Sequence, residues 1–548
     1  MRRLLPPALV TLVLIFLSSG SAFATTYYIA ANGSDSNSGT SKSSPWLHAP
    51  GMSGCSGVCA STTPQPGDQF ILRGGDTWHW GNSALSPFIG TCAQSGGTCW
   101  NWTAAGSSAG CNLNASSGPI NTSTCIYIGV DKTWFSGSSW ERPKFNGDNP
   151  ITTSSPSSCA YEDSNSALLY LRASYVIVDN LEILGYCWNV TAPWGAVVNL
   201  HSNTEIRNSY FHGWTMGKTA TGCGSCDSDE YWAIGPNAVG NLSNYVRIDH
   251  NVFDGSDATF GNGTTAGQAT GGIFQTGGEI DHNVLVHVSN GMKYYEAILV
   301  HDNYFSHMYE PAVGGTHGNV MEWSPTNYTV STYYFNNLTN NTNEGESIDM
   351  YPGSGGSSKH GYIFNNISWG QSNSPNCYMG EGDGSGGAGS FYFFNNTSDN
   401  PCSFSQERGS GSIVAQNNHF IGLSPTTLSH FTNMNTQTDN GNEVWQTESG
   451  ANGQGYTSSN DYAPTSGNGA TVGAGANLVS LCASMDNPVA VAACQKGYGG
   501  VTYDATNHVA VDNVPTSRPT TGAWDAGAYQ YGGSTTVSAP TGLTAIVQ

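Results

Sequence analysis

Acidic side chains return at long intervals through the second half of this chain, each inside a short segment of strand-forming residues. The segments read GIFQTG (272–277), NVMEWS (319–324), SIDMYP (347–352), CYMGEG (377–382) and SFSQERG (403–409). The last four carry Glu322, Asp349, Glu381 and Glu407, with Asp383 adjacent and the aromatic residues Trp323 and Tyr351 beside the acids. Carboxylates next to aromatic faces suit a carbohydrate, which offers apolar C–H faces and hydroxyl edges. Two reactions use such a set. Carboxylates about 5–5.5 Å or 6.5–9.5 Å apart serve retaining or inverting glycoside hydrolysis. Alternatively, carboxylates holding Ca²⁺ neutralise a uronic acid while a base removes its C5 proton, giving β-elimination. Lys293, Arg408 and Lys359 are the candidate bases, Asp383 a candidate metal ligand, and His317, just before Glu322, a candidate catalytic histidine.

For these residues to act together, something must stack them. One phrase does so by repetition: VIVDNLEI (176–183), TEIRNSYF (204–211), VRIDHNVF (246–253), GEIDHNVL (278–285), ILVHDNYF (298–305), YYFNNLTN (333–340), YIFNNISW (362–369), FYFFNNTS (391–398) and IVAQNNHF (413–420). Its Asn markers (180, 208, 251, 283, 303, 337, 366, 396 and 418) recur at a period of about 20–50 residues, the signature of stacked repeats. Alternating β-branched and aromatic residues read as half-buried strands. Asn tolerates the left-handed backbone of a sharp corner and can hydrogen-bond in a ladder up a stack. The expected fold is all-β, a right-handed parallel β-helix of three-strand coils. Neighbouring coils then lie about 4.8 Å apart, so the acids form a line if they share a register.

The phrase resembles the right-handed parallel β-helix proteins of the pectate lyase-like superfamily, as do YYIAANGSDSNSGTSKSSPW (27–46), PGDQFILRGGDTW (66–78) and RPTTGAWDAGAYQYG (518–532). The resemblance implies a groove along one sheet in which a polysaccharide lies. VRIDHNVF is similar to the W-I-D-H phrase of pectate lyases, which would make Asp249 a calcium ligand; GEIDHNVL repeats the same letters one coil later, as an architectural phrase would. The N-T-D, D-D, G-H-G and R-I-K set of polygalacturonases is not found. His250, His282 and His301, each beside a repeat Asn, read as turn or ladder residues.

Residues 1–24 read as a secretory signal, with an apolar run shorter than a membrane span needs. One β-helix domain is expected over 25–535: cap and early coils with disulfide-tied loops (25–165), regular coils (166–423), then last coils and a C-terminal cap (424–535). Residues 536–548 read as a linker or tail. Lys and Arg number 16 against 38 Asp and Glu, a net charge of −22, which disfavours nucleic acid and anionic membranes. The 14 Cys, mostly near neighbours such as Cys55/Cys59, Cys111/Cys125 and Cys482/Cys494, suggest disulfides and an extracellular monomer. Cys223-Gly-Ser-Cys226 has the alternative readings of half a zinc site or a redox pair. Two functions follow: a secreted polysaccharide hydrolase or Ca²⁺-dependent lyase, or a non-catalytic β-helix adhesin or carbohydrate-binding protein.

Overall fold

The computed structural model describes residues 24–90, 98–148, 167–188, 196–216, 231–236, 245–256, 270–274, 277–288, 290–294, 296–308, 320–323, 331–342, 346–350, 360–370, 376–379, 390–399, 403–405, 412–422, 431–432 and 436–532. Within them the chain winds into a parallel β-helix. Three long sheets run its length, with 13, 12 and 11 strands among the described residues. Each regular coil visits them in one order. Ala196–Leu200 lies in the third sheet, Thr204–Arg207 in the first and Tyr210–His212 in the second. Among the described residues no helix is long and apolar enough to cross a membrane.

The strand phrase explains the core. Val178, Ile206, Ile248, Ile280, Val300, Tyr334, Ile363, Phe393 and Ala415 succeed one another in register along the first sheet and are all buried. One residue per coil thus fills the same layer, and alternation sends its neighbours to the outer face.

The corner that follows divides its labour between two residues. Asn180, Asn208, His250, His282, Asp302, Asn336, Asn365, Asn395 and Asn417 take the left-handed conformation, with φ between 53° and 60°. The next residue points inward. There Asn251, Asn283, Asn303, Asn337, Asn366, Asn396 and Asn418 form a buried ladder, each Nδ2 donating to the next Oδ1 at 3.0–3.2 Å. The expectation that one Asn does both jobs is therefore corrected. Asn180 and Asn208 are corner residues, whereas the other seven markers are ladder residues displaced by one. In the first two of these coils the ladder position holds Leu181 and Ser209.

Beyond the last long-sheet strand, Val444–Gln446, the chain turns back along the outer faces of the first and second sheets. Helices Val479–Ala483 and Pro488–Cys494, joined by Cys482–Cys494, cover the stacks Tyr333–Tyr362–Tyr392 and Phe335–Phe364–Phe394. The antiparallel hairpin Val501–Asp504/Val509–Asp512 continues onto Tyr210, Val252 and Val284. Arg142 then donates to the main-chain oxygens of Asn507 and His508. Residues 456–532 thus bury a face that a bare solenoid would leave in water. Disulfides Cys55–Cys59 and Cys111–Cys125 tie the early coils. Cys223 and Cys226 lie outside the described residues.

Candidate active site

The five segments, four of them acid-bearing, each contribute a strand to the third sheet: Thr270–Phe274, Met321–Trp323, Glu346–Met350, Asn376–Met379 and Ser403–Ser405. A sixth strand, Asn290–Tyr294, lies between the first two and carries Lys293. The register is specific. Lys293 pairs with Glu322, and Glu322 with Asp349. The row continues through Tyr378 to Ser405, and before Lys293 it passes through Phe274. Met292 and Met321, the chain neighbours of Lys293 and Glu322, are buried. Trp323 shares the next row with Tyr294. A basic residue and two acidic residues therefore occupy one register position on three successive rungs, about 4.8 Å per step. Phe274, one rung earlier, is buried and stacks on Trp232 with ring centroids 5.0 Å apart.

The expected line was Glu322, Asp349 and Glu381. The position following Asp349 is instead Tyr378, and the position preceding Glu322 is Lys293. Glu381, Asp383, Glu407, Arg408, His317, Tyr351 and Lys359 lie outside the described residues. Counting from the repeat Asn does not reveal a register in which segments enter the sheet after loops of unequal length.

Asp249 stands elsewhere, on the outer face of the first sheet, within a buried ionic lattice. In register, Glu205, Arg247 and Glu279 form one row, and Arg207, Asp249, Asp281 and His301 the next. Arg247 donates to both oxygens of Asp281 at 3.2 and 2.9 Å and lies 3.5 Å from Glu205. Tyr245 donates to Glu279. Burial opposes the charge on Asp281, but Arg247 and the imidazoles of His282 and His301 hold its carboxyl well below the usual range. Burial lifts the carboxyl of Glu205 to about 8, and the nearby Asp249 adds to it.

The histidines of the IDHN phrases belong to this lattice. Nδ1 of His250 lies 2.9 Å from Asp249, Nδ1 of His282 2.8 Å from Asp281, and Nδ1 of His301 2.6 Å from Asp302. His301 Nε2 also meets Glu279 at 3.0 Å. Burial works against the imidazolium of His250, but Asp249 and Asp512 outweigh it and raise its pKa to about 10. At His301 the same opposition of burial is overcome by Asp302 and Glu279, again to about 10. His250 and His282 are corner residues, as read; His301 ends a strand, one residue before its corner.

No protein-family model matches the chain, and no curated protein does. Among solved structures it is similar to the pectate lyase Pel9A, at 13% identity and a TM-score of 0.41, over 93% of this chain and 97% of that one. It is similar to XylC in complex with xylose, at 11% identity and a TM-score of 0.42, over 77% and 86%. A third is the GH136 lacto-N-biosidase from Eubacterium ramulus, at 11% and 0.38, over 77% and 68%.

Proposed function

We propose that the chain is a secreted enzyme that cleaves an acidic polysaccharide by β-elimination at the row Lys293–Glu322–Asp349. The observation that carries this reading is the backbone pairing of those three residues on consecutive rungs. Elimination needs a base for the C5 proton and a counter-charge for the uronate carboxylate. This row has one residue type for the first task and two for the second. Glu322 and Asp349 offer hard oxygen ligands one rung apart, which fits Ca²⁺ in chemistry. Such an ion supplies charge neutralisation of the substrate carboxylate, which acidifies the adjacent C–H. Lys293 takes the C5 proton, the C4–O bond breaks, a C4=C5 double bond forms, and the departing oxygen takes a proton from water. A lysine beside two free carboxylates is held in its ammonium form; with those carboxylates neutralised by a bound dication, Lys293 would lose that bias and reach the neutral amine more readily. The chain's own net charge of −22 also makes a bridging cation useful for holding a polyanion.

A retaining hydrolase is the second reading, because Glu322 and Asp349 are paired on adjacent rungs and retaining hydrolysis uses two carboxyl groups about 5–5.5 Å apart. Digestion of uronate and neutral polysaccharides, with and without chelator, separates the two. Lyase activity gives the ultraviolet absorbance of unsaturated uronates, lost with EDTA and in Lys293→Ala. Reducing ends without that absorbance, lost in Glu322→Gln or Asp349→Asn, mean hydrolysis. Binding of polymer with no cleavage of any kind overturns both and leaves a carbohydrate-binding β-helix.

A further inference from the structure

A second constellation lies on a different face. His250 and His282 occupy equivalent corners of adjacent coils, both at φ near 55°. Their rings stack with centroids 4.7 Å apart and planes within 5°. Each Nδ1 is fixed by the carboxylate of the preceding residue, Asp249 or Asp281. The hairpin of the returning C-terminal segment sets Asp512 against both Nε2 atoms. Asp512 Oδ1 is 3.2 Å from His250 Nε2 and 3.9 Å from His282 Nε2. Asp302 Oδ2 also stands 3.9 Å from His282 Nε2. The His250 and His282 side chains are 27% and 22% exposed and that of Asp512 58%, so solvent reaches the site.

From this arrangement we infer that His250 Nε2, His282 Nε2 and an Asp512 carboxylate oxygen form a site for a transition-metal dication of the Zn²⁺ class, linking two coil corners to the C-terminal hairpin. The three ligand atoms lie within 4.8 Å of one another. A tetrahedral ion with bonds of about 2.0–2.1 Å needs ligand atoms about 3.3–3.4 Å apart; the His250–Asp512 pair already stands at 3.2 Å, the His282–Asp512 pair must close from 3.9 Å, and the two parallel rings must tilt toward each other to bring their Nε2 atoms together. Imidazole ligands whose far nitrogens are held by carboxylates are the usual outer shell of a zinc centre: the carboxylate sets the tautomer and the ring direction. Two nitrogens with one carboxylate oxygen select Zn²⁺, Co²⁺ or Ni²⁺ over Ca²⁺, which takes oxygen ligands. With three protein ligands a fourth position is left for water or a group from outside. This site shares no residue with the Lys293–Glu322–Asp349 row.

The test uses the full chain, stripped with chelator and titrated with Zn²⁺ by calorimetry and with Co²⁺ by visible absorption. One ion per chain is expected, with the intense visible bands of a low-coordinate cobalt centre and a higher unfolding temperature in Zn²⁺. His282→Asn retains a residue type that holds the same corner at Asn336, Asn365 and Asn395. It should weaken Zn²⁺ binding more than about 10-fold, as should Asp512→Asn on the exposed hairpin. Glu322→Gln with Asp349→Asn should leave Zn²⁺ affinity unchanged, which separates this site from any Ca²⁺ site in the groove. Failure to bind Co²⁺ or Zn²⁺ below millimolar concentration overturns the inference, and so does affinity unaltered in both ligand variants.

Discussion

Replacing Asn337 by Ala tests whether the ladder holds the coils together. Asn337 is fully buried. Its Nδ2 donates to Val300 O, Phe335 O and Asn366 Oδ1 at 3.1, 3.0 and 3.2 Å, and its Oδ1 accepts from the Asn303 main-chain N at 3.1 Å and Nδ2 at 3.0 Å. Truncation leaves the Asn303 N–H without an acceptor in a site sealed from water, at about 1–3 kcal/mol, and removes further hydrogen bonds worth about 1 kcal/mol each. The expected loss is therefore about 3–5 kcal/mol. Asn251→Ser is the matched control. Ser209 already occupies the ladder position one coil earlier, where its Oγ accepts from the Leu181 N–H at 3.2 Å, so a hydroxyl can serve there at a cost of about 1–2 kcal/mol. Urea unfolding measures both, with hydrogen exchange at the Asn303 amide as a local readout, because a stacked array can open in part. An Asn337→Ala loss below about 1 kcal/mol, or a larger loss for Asn251→Ser, would refute the assignment of the ladder as a main source of coil-to-coil cohesion.

Two further outcomes follow from the C-terminal segment and the last coils. Arg518 is buried and donates to the main-chain oxygens of Lys496, Asp525, Gly527 and Ala528 and to Asn365 Oδ1. Burial lowers its pKa to about 9, against the pull of Asp525. Arg518→Ala should cost about 3–5 kcal/mol by leaving these oxygens dry, seen as faster proteolysis within 456–532 while the coils keep their far-ultraviolet spectrum. His419 is buried to 1% exposure, and burial drops its pKa to about 4, only partly offset by Gln446 at 2.8 Å. The unfolded chain binds this proton below about 6.5 and the folded chain does not until about 4, so stability should fall by about 3 kcal/mol as pH drops from 6.5 to 4. His419→Gln should flatten that part of the pH–stability curve; an unchanged slope would show that other groups set it.

Much of the architecture was legible along the chain because it is periodic. Strand, corner and ladder residues answer to local rules, alternation for the core row and left-handed tolerance for the corner, and these repeat once per coil. Even so, IDHN and FNN phrases hide a one-residue offset: Asn is acceptable both at the corner and in the ladder, and only the backbone torsions show that His250, His282 and Asp302 turn the chain while Asn251, Asn283 and Asn303 lie inside. Residue type could not decide between two positions that both suit Asn.

The candidate site divides in the same way. The acids were visible as chemistry-bearing types in segments of strand-forming residues, and Lys293 as a candidate base. Their pairing with Lys293, and the arrival of Tyr378 where a third acid was expected, depend on how each loop returns the chain to the sheet. That register is set by the stacking of whole coils, with no local residue to mark it. The meeting of Asp512 with His250 and His282 spans about half the chain and exists because residues 456–532 fold back along the first and second sheets. Periodicity is a property of neighbouring residues and can be read from them; a contact between a repeat and a non-repeating segment is decided only by where an exposed apolar face finds its cover.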